Sequence, residues 1–289
     1  MKIIVSPLRY PGSKIRLVRY MGKVLEFNKC QPDVLVEPFV GGGSVFINFL
    51  ENDWVEKAII GDRDPLIYSF WKVLFEDPSY LIRFTEKVRV DLETFRLYKS
   101  IAADESHNEG RTLAEACLFL NRTSFSGILA ANAGAIGGRK QESQYKIDCR
   151  FNRELLVERM KRISSFAPRV TVLPYDWSRT IDYALKQSTG LEKFIYLDPP
   201  FYNKADKLYR HYFDELKTHL ALSRKLKQLR HKWILSYDRD PEVKRMYKSF
   251  IQRSLAFPYS INSPARRIEK EYFITSRDLK RPPKGFLTK

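Results

Sequence analysis

Five short, continuously apolar runs, at 33–39, 58–62, 170–174, 194–198 and 233–237, constrain this chain more than any other feature. They are rich in Val, Ile, Leu and aromatic residues, and they do not alternate between apolar and polar. That pattern belongs to strands buried on both faces, hence to a parallel sheet whose crossovers lay helices on either side. Two further runs, 250–257 and 271–275, flank a connection rich in Pro, Asn and Arg and read as an antiparallel pair closing the sheet. The expectation is an α/β chain with a Rossmann-like sheet of about seven strands. In such sheets ligands bind at the carboxyl ends of the strands.

The interval between the second and third runs is too long for one crossover, which needs only a dozen or so residues. It reads as helical at 66–75, 79–88, 92–103 and 113–121, followed by a Gly- and Ala-rich stretch, 127–138. The expected organisation is one domain made of residues 1–64 and 170–289, with 65–169 inserted as a helical domain carrying a flexible tip.

Charge narrows the partners. The chain has 289 residues, with 51 Lys and Arg against 34 Asp and Glu, a net charge of +17. Such a balance suits a polyanion, nucleic acid first. Residues 203–232 concentrate it, with Lys204, Lys207, Arg210, Lys217, Arg224, Lys225, Lys227, Arg230 and Lys232. A content of 44% hydrophobic and 29% charged residues excludes a disordered chain. No apolar stretch reaches the roughly 18 residues of a membrane span, and the apolar N-terminal run is too short for a secretory signal. Three cysteines outside any CxxC pair and four histidines argue against a disulfide framework and a zinc site. A reducing cytoplasm and no metal are expected.

Two segments carry chemistry. Glu37-Pro38-Phe39-Val40-Gly41-Gly42-Gly43-Ser44 takes a strand into consecutive glycines ahead of a helix, letting a ligand approach the backbone. Its third fingerprint glycine is replaced by Phe46, yet Asp62 follows 21 residues after Gly41, where a carboxylate can accept from ribose hydroxyls. This suits a nucleoside with a small cationic tail better than a pyrophosphate. Asp198-Pro199-Pro200-Phe201 follows the fourth strand. Two prolines make a rigid turn with free carbonyls. The Asp198 carboxylate and the Pro199 carbonyl can accept both hydrogens of one exocyclic amine, and Phe201 offers a ring for base stacking.

These residues resemble a known family. Asp198-Pro199-Pro200-Phe201 is similar to the DPPY/DPPF motif of amino-methyltransferases that use S-adenosylmethionine, and the Glu37–Phe46 segment resembles their FxGxG loop. Leu8-Arg9-Tyr10-Pro11-Gly12-Ser13-Lys14 is similar to the opening segment of Dam-type (D12-class, alpha-order) DNA adenine methyltransferases. Asn121-Arg122-Thr123-Ser124-Phe125-Ser126-Gly127 and Ser260-Ile261-Asn262-Ser263 extend the likeness, which runs from about residue 8 to 276. The resemblance implies a methyltransferase sheet with an inserted DNA-recognition domain, S-adenosylmethionine as cofactor and a flipped adenine of double-stranded DNA as substrate. Asp198, Pro199, Pro200 and Phe201 would form the catalytic turn. Tyr10 and Lys14 would hold the methionine end of the cofactor, with Pro38, Phe39, Gly41 and Gly43 along its other side. Asp62 would bind its ribose; Asp176 and Trp177 would meet its adenine.

One departure bears on specificity. Ala130 and Ala131 stand where a base-reading arginine of a GATC enzyme is expected, and alanine makes no bidentate guanine contact. Arg122, Asn132 and Arg139 remain as DNA-contacting candidates. The resemblance also leaves open N4-cytosine or RNA adenine methylation, and an inactive DNA-binding relative. It implies a bacterial, archaeal or phage cytoplasmic protein associated with the nucleoid, monomeric or weakly dimeric, acting alone or beside a restriction or defence partner.

Overall fold

The computed structural model describes residues 1–9, 14–104, 106, 108–130, 132–202, 216–259, 267–280, 282 and 283. A seven-stranded sheet runs in the order β3-β2-β1-β4-β5-β7-β6. Its parallel strands are β1 (Val34–Glu37), β2 (Lys57–Gly61), β3 (Val170–Leu173), β4 (Lys193–Leu197) and β5 (Lys232–Asp238). Strands β6 (Ile251–Tyr259) and β7 (Arg267–Thr275) pair antiparallel, and β7 lies antiparallel to β5. The expected sheet is therefore observed, each strand within a few residues of its sequence run.

Helices α1 (Ile15–Phe27), α2 (Ser44–Glu51), α3 (Pro65–Glu76), α4 (Pro78–Lys87), α5 (Leu92–Ala103), α6 (Gly110–Thr123) and α7 (Arg153–Ser164) pack on one face. On the other face lie α8 (Trp177–Gln187), α9 (Leu216–Gln228) and α10 (Pro241–Met246). Many of the starts are written locally. Asp64, Asp77 and Asp240 each precede a proline, and each accepts a first-turn amide of α3, α4 or α10. Asp91, Asn152 and Asp176 cap α5, α7 and α8 in the same way.

The helices of 65–169 share one apolar cluster with the sheet: Phe70, Phe119 and Met160 belong to the same buried group as Leu35 and Phe46. Helix α3 also bonds the sheet edge directly, its Trp71 Nε1 donating to Gly41 O at 2.9 Å. The Gly- and Ala-rich stretch expected as a flexible tip has backbone partners among the described residues. Phe125 N donates to Gly134 O, Ile136 N donates to Thr123 O, and Ser124 bridges Ala135. The Gln141 amide donates to Ile136 O and Gly138 O while accepting from Ile147 N. Glycines there serve tight turns between pinned points rather than a loose end.

The N-terminal segment lacks a strand partner and borrows one from asparagines. Asn52 accepts from Lys2 N and donates to Lys2 O, and Asn48 does the same for Ile4. Asn121, fully buried, accepts from Arg9 N at 2.6 Å and donates to Arg9 O and Gly127 O. Gly127 sits at φ +73°, and a Cβ there would come within 2.7 Å of Arg9 O. Asn121→Ala therefore leaves buried backbone groups unmatched and should cost about 2 kcal/mol, measurable as a lower urea midpoint with unchanged slope.

Candidate functional site

The carboxyl edge of the sheet collects the predicted groups in spatial order. Asp176 follows β3, Asp62 follows β2, the glycine loop follows β1 and Asp198 follows β4. Strand order reverses between β1 and β4, the switch point at which open α/β sheets form a crevice. From β4 to β3 is three strand spacings, roughly 14 Å, enough for an elongated nucleoside carrying an amino-acid tail.

Glu37 builds the glycine loop. Its buried carboxylate accepts from Phe46 N at 2.9 Å, supplying α2 with the cap that Gly43 cannot. Gly43 has φ +66°, and a Cβ there would meet the Phe46 and Trp71 rings at 2.4 and 2.6 Å. Asp62 accepts from Gly41 N and from Asp64 N, both at 3.0 Å, and so couples the loop to the end of β2.

Lys14, Glu37, Phe39, Gly43, Tyr196 and Asp198 line a pocket of about 300 Å³ of empty space counted to open solvent. Lys14 Nζ lies 3.1 Å from Asp198 Oδ1 and 2.7 Å from Glu271 Oε2. Burial pushes the Asp198 carboxyl up to about 6, with Lys14 pulling it down and Glu271 raising it further. Burial also lifts Asp62 to about 7, helped by Asp64, and drives Glu37 well above the usual carboxylate range. Raised carboxyls take up protons on folding. The stability contributed by Asp62 and Asp198 therefore declines as pH rises from about 4 towards 7. Preorganised negative charge destabilises the empty fold.

Asp198 shows why this Asp-Pro differs from the other three. Asp64 and Asp240 accept from the amide two residues on, and Asp77 from the amide three residues on. Two residues after Asp198 stands Pro200, which has no N–H. The second proline thus withholds the capping partner and leaves the carboxylate to the pocket. That signal was present in the sequence. Tyr202 N, at the far end of the turn, donates to Asp238 Oδ1 at 2.8 Å, and its ring meets the buried His219 ring edge-on at 4.8 Å.

Other expected residues fall elsewhere. Pro38 is buried beneath the loop, while Phe39 and Phe201 are half-buried. Asp176 is exposed and caps α8 through Arg179 N, and Trp177 is buried in the core of the other face. Asn132 and Arg139 are exposed on the insertion. Arg122 is buried, its Nε donating to Pro7 O at 2.7 Å. The basic side chains at 224–232 lie towards the amino edge of the sheet, opposite the pocket, because α9 runs from the carboxyl edge back to the start of β5. Tyr10, residues 260–263 and the basic side chains of 203–215 lie outside the described residues. Sequence reasoning missed Glu37, Tyr196 and Glu271 as pocket groups. Glu271 lies in a strand far from Lys14 in the chain, and nothing local marks it.

A doubly wound sheet with an antiparallel closing pair and an acidic switch-point pocket defines an enzyme of the Rossmann-like methyltransferase class. The chain belongs to the D12 class N6 adenine-specific DNA methyltransferase family, which it matches over residues 10–267. It is 24% identical over 208 residues to the Type II methyltransferase M.MjaIII of Methanocaldococcus jannaschii, covering 67% of this chain and 68% of that one. It is 27% identical over 196 residues to the DNA adenine methylase of Vibrio cholerae, covering 67% and 64%. The DNA N-6-adenine-methyltransferase of Escherichia phage P1 is 24% identical over 201 residues, 68% of this chain but 24% of that protein. The matches thus span about two thirds of the cellular relatives and a quarter of the phage protein. Among solved structures, the rRNA methyltransferase aviRa of Streptomyces viridochromogenes overlays 94% of this chain and 88% of its own at 11% identity and TM-score 0.39.

Gly43→Ala combines left-handed strain with ring overlap and should weaken methyl-donor binding about tenfold or more, read by calorimetry.

Proposed function

We propose that this chain transfers the methyl group of S-adenosyl-L-methionine to the N6 amine of an adenine flipped out of double-stranded DNA. The observation that carries this reading is the Asp198-Pro199-Pro200 turn at the edge of an acidic pocket, on a chain whose net charge is +17. A basic exterior draws the polyanion; the pocket's carboxylates favour a cation.

The donor set fits the cofactor. Glu37, Asp62 and Asp198 concentrate negative charge beside backbone open enough at Gly41 and Gly43 for close approach. Lys14, Phe39 and the glycine loop would hold its amino-acid end, and Asp62, half exposed, its ribose. Asp176 and Trp177 stand at the far end of the row, and we assign Asp176 alone to the adenine, since Trp177 is committed to the core. When bound, S-adenosylmethionine supplies an electrophilic sulfonium methyl. The Asp198 carboxylate and Pro199 carbonyl accept from the two N6 hydrogens and turn the nitrogen lone pair towards that methyl. Phe201 stacks on the flipped base and offsets part of the few kcal/mol of unstacking. Transfer would form the N6–CH3 bond as the S–CH3 bond breaks, with S-adenosylhomocysteine as the leaving group and the N6 proton passing to water. Asp198 thus works by orientation and charge rather than as a strong base.

For the DNA contacts we assign the insertion. Arg9, Arg150 and Arg159 act electrostatically on Arg122, and burial first, then this repulsion, depresses Arg122 to about 9. Glu158 acts on Arg159, and among the described residues no carboxylate lies within salt-bridge distance of the four. They suit backbone phosphates, with Arg122 steadying the N-terminal segment and the exposed Arg139 and Asn132 nearer the bases. The role of a cytoplasmic, nucleoid-associated enzyme, alone or paired with a restriction or defence partner, follows from this reading.

Modification-sensitive sequencing of DNA from cells expressing the chain should show N6-methyladenine in one short context, absent with Asp198→Ala. Tritium transfer to DNA and RNA followed by nucleoside analysis separates the N4-cytosine and RNA readings. Asp198→Ala should keep DNA binding and lose transfer by about a thousandfold or more. As the ionised Asp198 is the acceptor, kcat/KM should fall about tenfold per unit below about pH 6, checked by a pH–rate profile.

A further inference from the structure

We propose that Glu271 is a positioning residue for methyl transfer: it draws Lys14 off Asp198 as the target amine arrives, so that Lys14 holds one acceptor oxygen in the empty site and releases it in the loaded one. The inference rests on Asp198 being the amine acceptor.

The geometry is that of one cation shared by two carboxylates. Lys14 and Glu271 are 7% and 5% exposed, and Nζ is nearer Glu271, at 2.7 Å, than Asp198, at 3.1 Å. An ammonium has three donors on a rotating carbon, so it can release one acceptor and keep the other. While it touches Asp198 Oδ1, it takes up one of the two carboxylate oxygens that an incoming exocyclic N–H can use. A purely structural buried pair needs one carboxylate; a second leaves negative charge in excess at a desolvation cost. That excess has a use when a sulfonium enters and the attacking nitrogen becomes cationic. Glu37 from β1, Asp62 from β2 and the Tyr196 hydroxyl from β4 face the same ground, and Arg63 acts on Asp62.

The sheet register adds an independent support. Asp238 on β5 stands opposite Glu271 on β7. Asp238 holds the Tyr202 amide at one end of the catalytic turn, and Glu271 holds Lys14 against Asp198 at the other. One cross-strand pair therefore governs both ends of residues 198–202. The loaded site adds contacts to Asp198 and tips Lys14 to the acceptor it already favours.

The test compares the wild-type chain with Glu271→Gln and Glu271→Asp. Single-turnover transfer of labelled methyl to DNA is followed across about pH 5 to 9, alongside thermal midpoints and S-adenosylmethionine calorimetry. Glu271→Gln should slow transfer about tenfold or more with DNA KM little changed, as Lys14 stays on Asp198. Its acid limb should move down by about half a unit or more, because Asp198 loses a neighbouring negative charge and keeps the lysine. Glu271→Asp, with the charge but a shorter reach, should recover part of both. Carbon-13 NMR titration of the Asp198 carboxyl in the cofactor-free proteins gives a readout independent of turnover. Wild-type transfer with an unmoved acid limb and rate in Glu271→Gln would overturn the proposal, as would a rate loss explained by the midpoint alone while Asp198 titrates unchanged. A wild-type chain that methylates neither DNA nor RNA refutes the proposed function instead, and the carboxyl titration still decides whether Glu271 sets the Lys14–Asp198 contact.

Discussion

The ion pairs of Lys14 tie together three distant parts of the chain. Lys14 opens α1, Asp198 ends β4 and Glu271 sits on the antiparallel strand that closes the sheet. None of these groups is stable alone in its surroundings: a buried lysine, a buried carboxylate and a half-buried one each need the others to offset desolvation. The N-terminal segment must therefore reach the sheet edge at one definite place. Its asparagine partners, Asn52, Asn48 and Asn121, fix its path along α2 and α6. Closing the sheet and completing the pocket are the same event.

The pocket and the surface carry opposite signs. A net charge of +17 supports steering towards a polyanion and is screened by salt. The switch point instead gathers Glu37, Asp198 and Glu271 near Lys14, with Asp62 beside Glu37. Raised proton affinities at Glu37, Asp62 and Asp198 express the resulting strain, and burial is the largest cause of each. A cationic ligand relieves it. The same crowding that lowers the stability of the empty fold would, in the proposed reaction, favour a sulfonium and the cationic nitrogen formed in transfer. The insertion contributes to this through packing rather than as a separate body, since Trp71 of α3 holds the Gly41 carbonyl.

The architecture was legible because its signals are local. Continuous apolar runs marked the strands, and α5 lies where periodicity placed it, Leu92–Ala103. In the structure, Asp-Pro pairs stand at three helix starts, a local signal of the same kind. The motifs at 37–46 and 198–201 were legible because a glycine turn and a double proline constrain the backbone whatever surrounds them. Asp176 shows the limit of such reading: a capping Asp and a ligand-binding Asp look alike in sequence, and in the fold its carboxylate accepts from the Arg179 amide while staying exposed. Trp177 and Arg122 likewise turned inward, because helix phase and burial decide where a side chain points.

By itself the sequence determined the element order, the parallel sheet with its antiparallel edge, the strand-end positions of the acids and the family they belong to. Tertiary structure alone decided that Glu271 joins Lys14 and Asp198, that Glu37 caps α2 at the pocket wall, and that Arg122 clamps the N-terminal segment. It also sent half of the basic stretch to the far edge of the sheet. The physical reason is the same in each case. Backbone propensity acts over a few neighbouring residues, whereas burial and charge pairing act between residues that only the folded chain brings together.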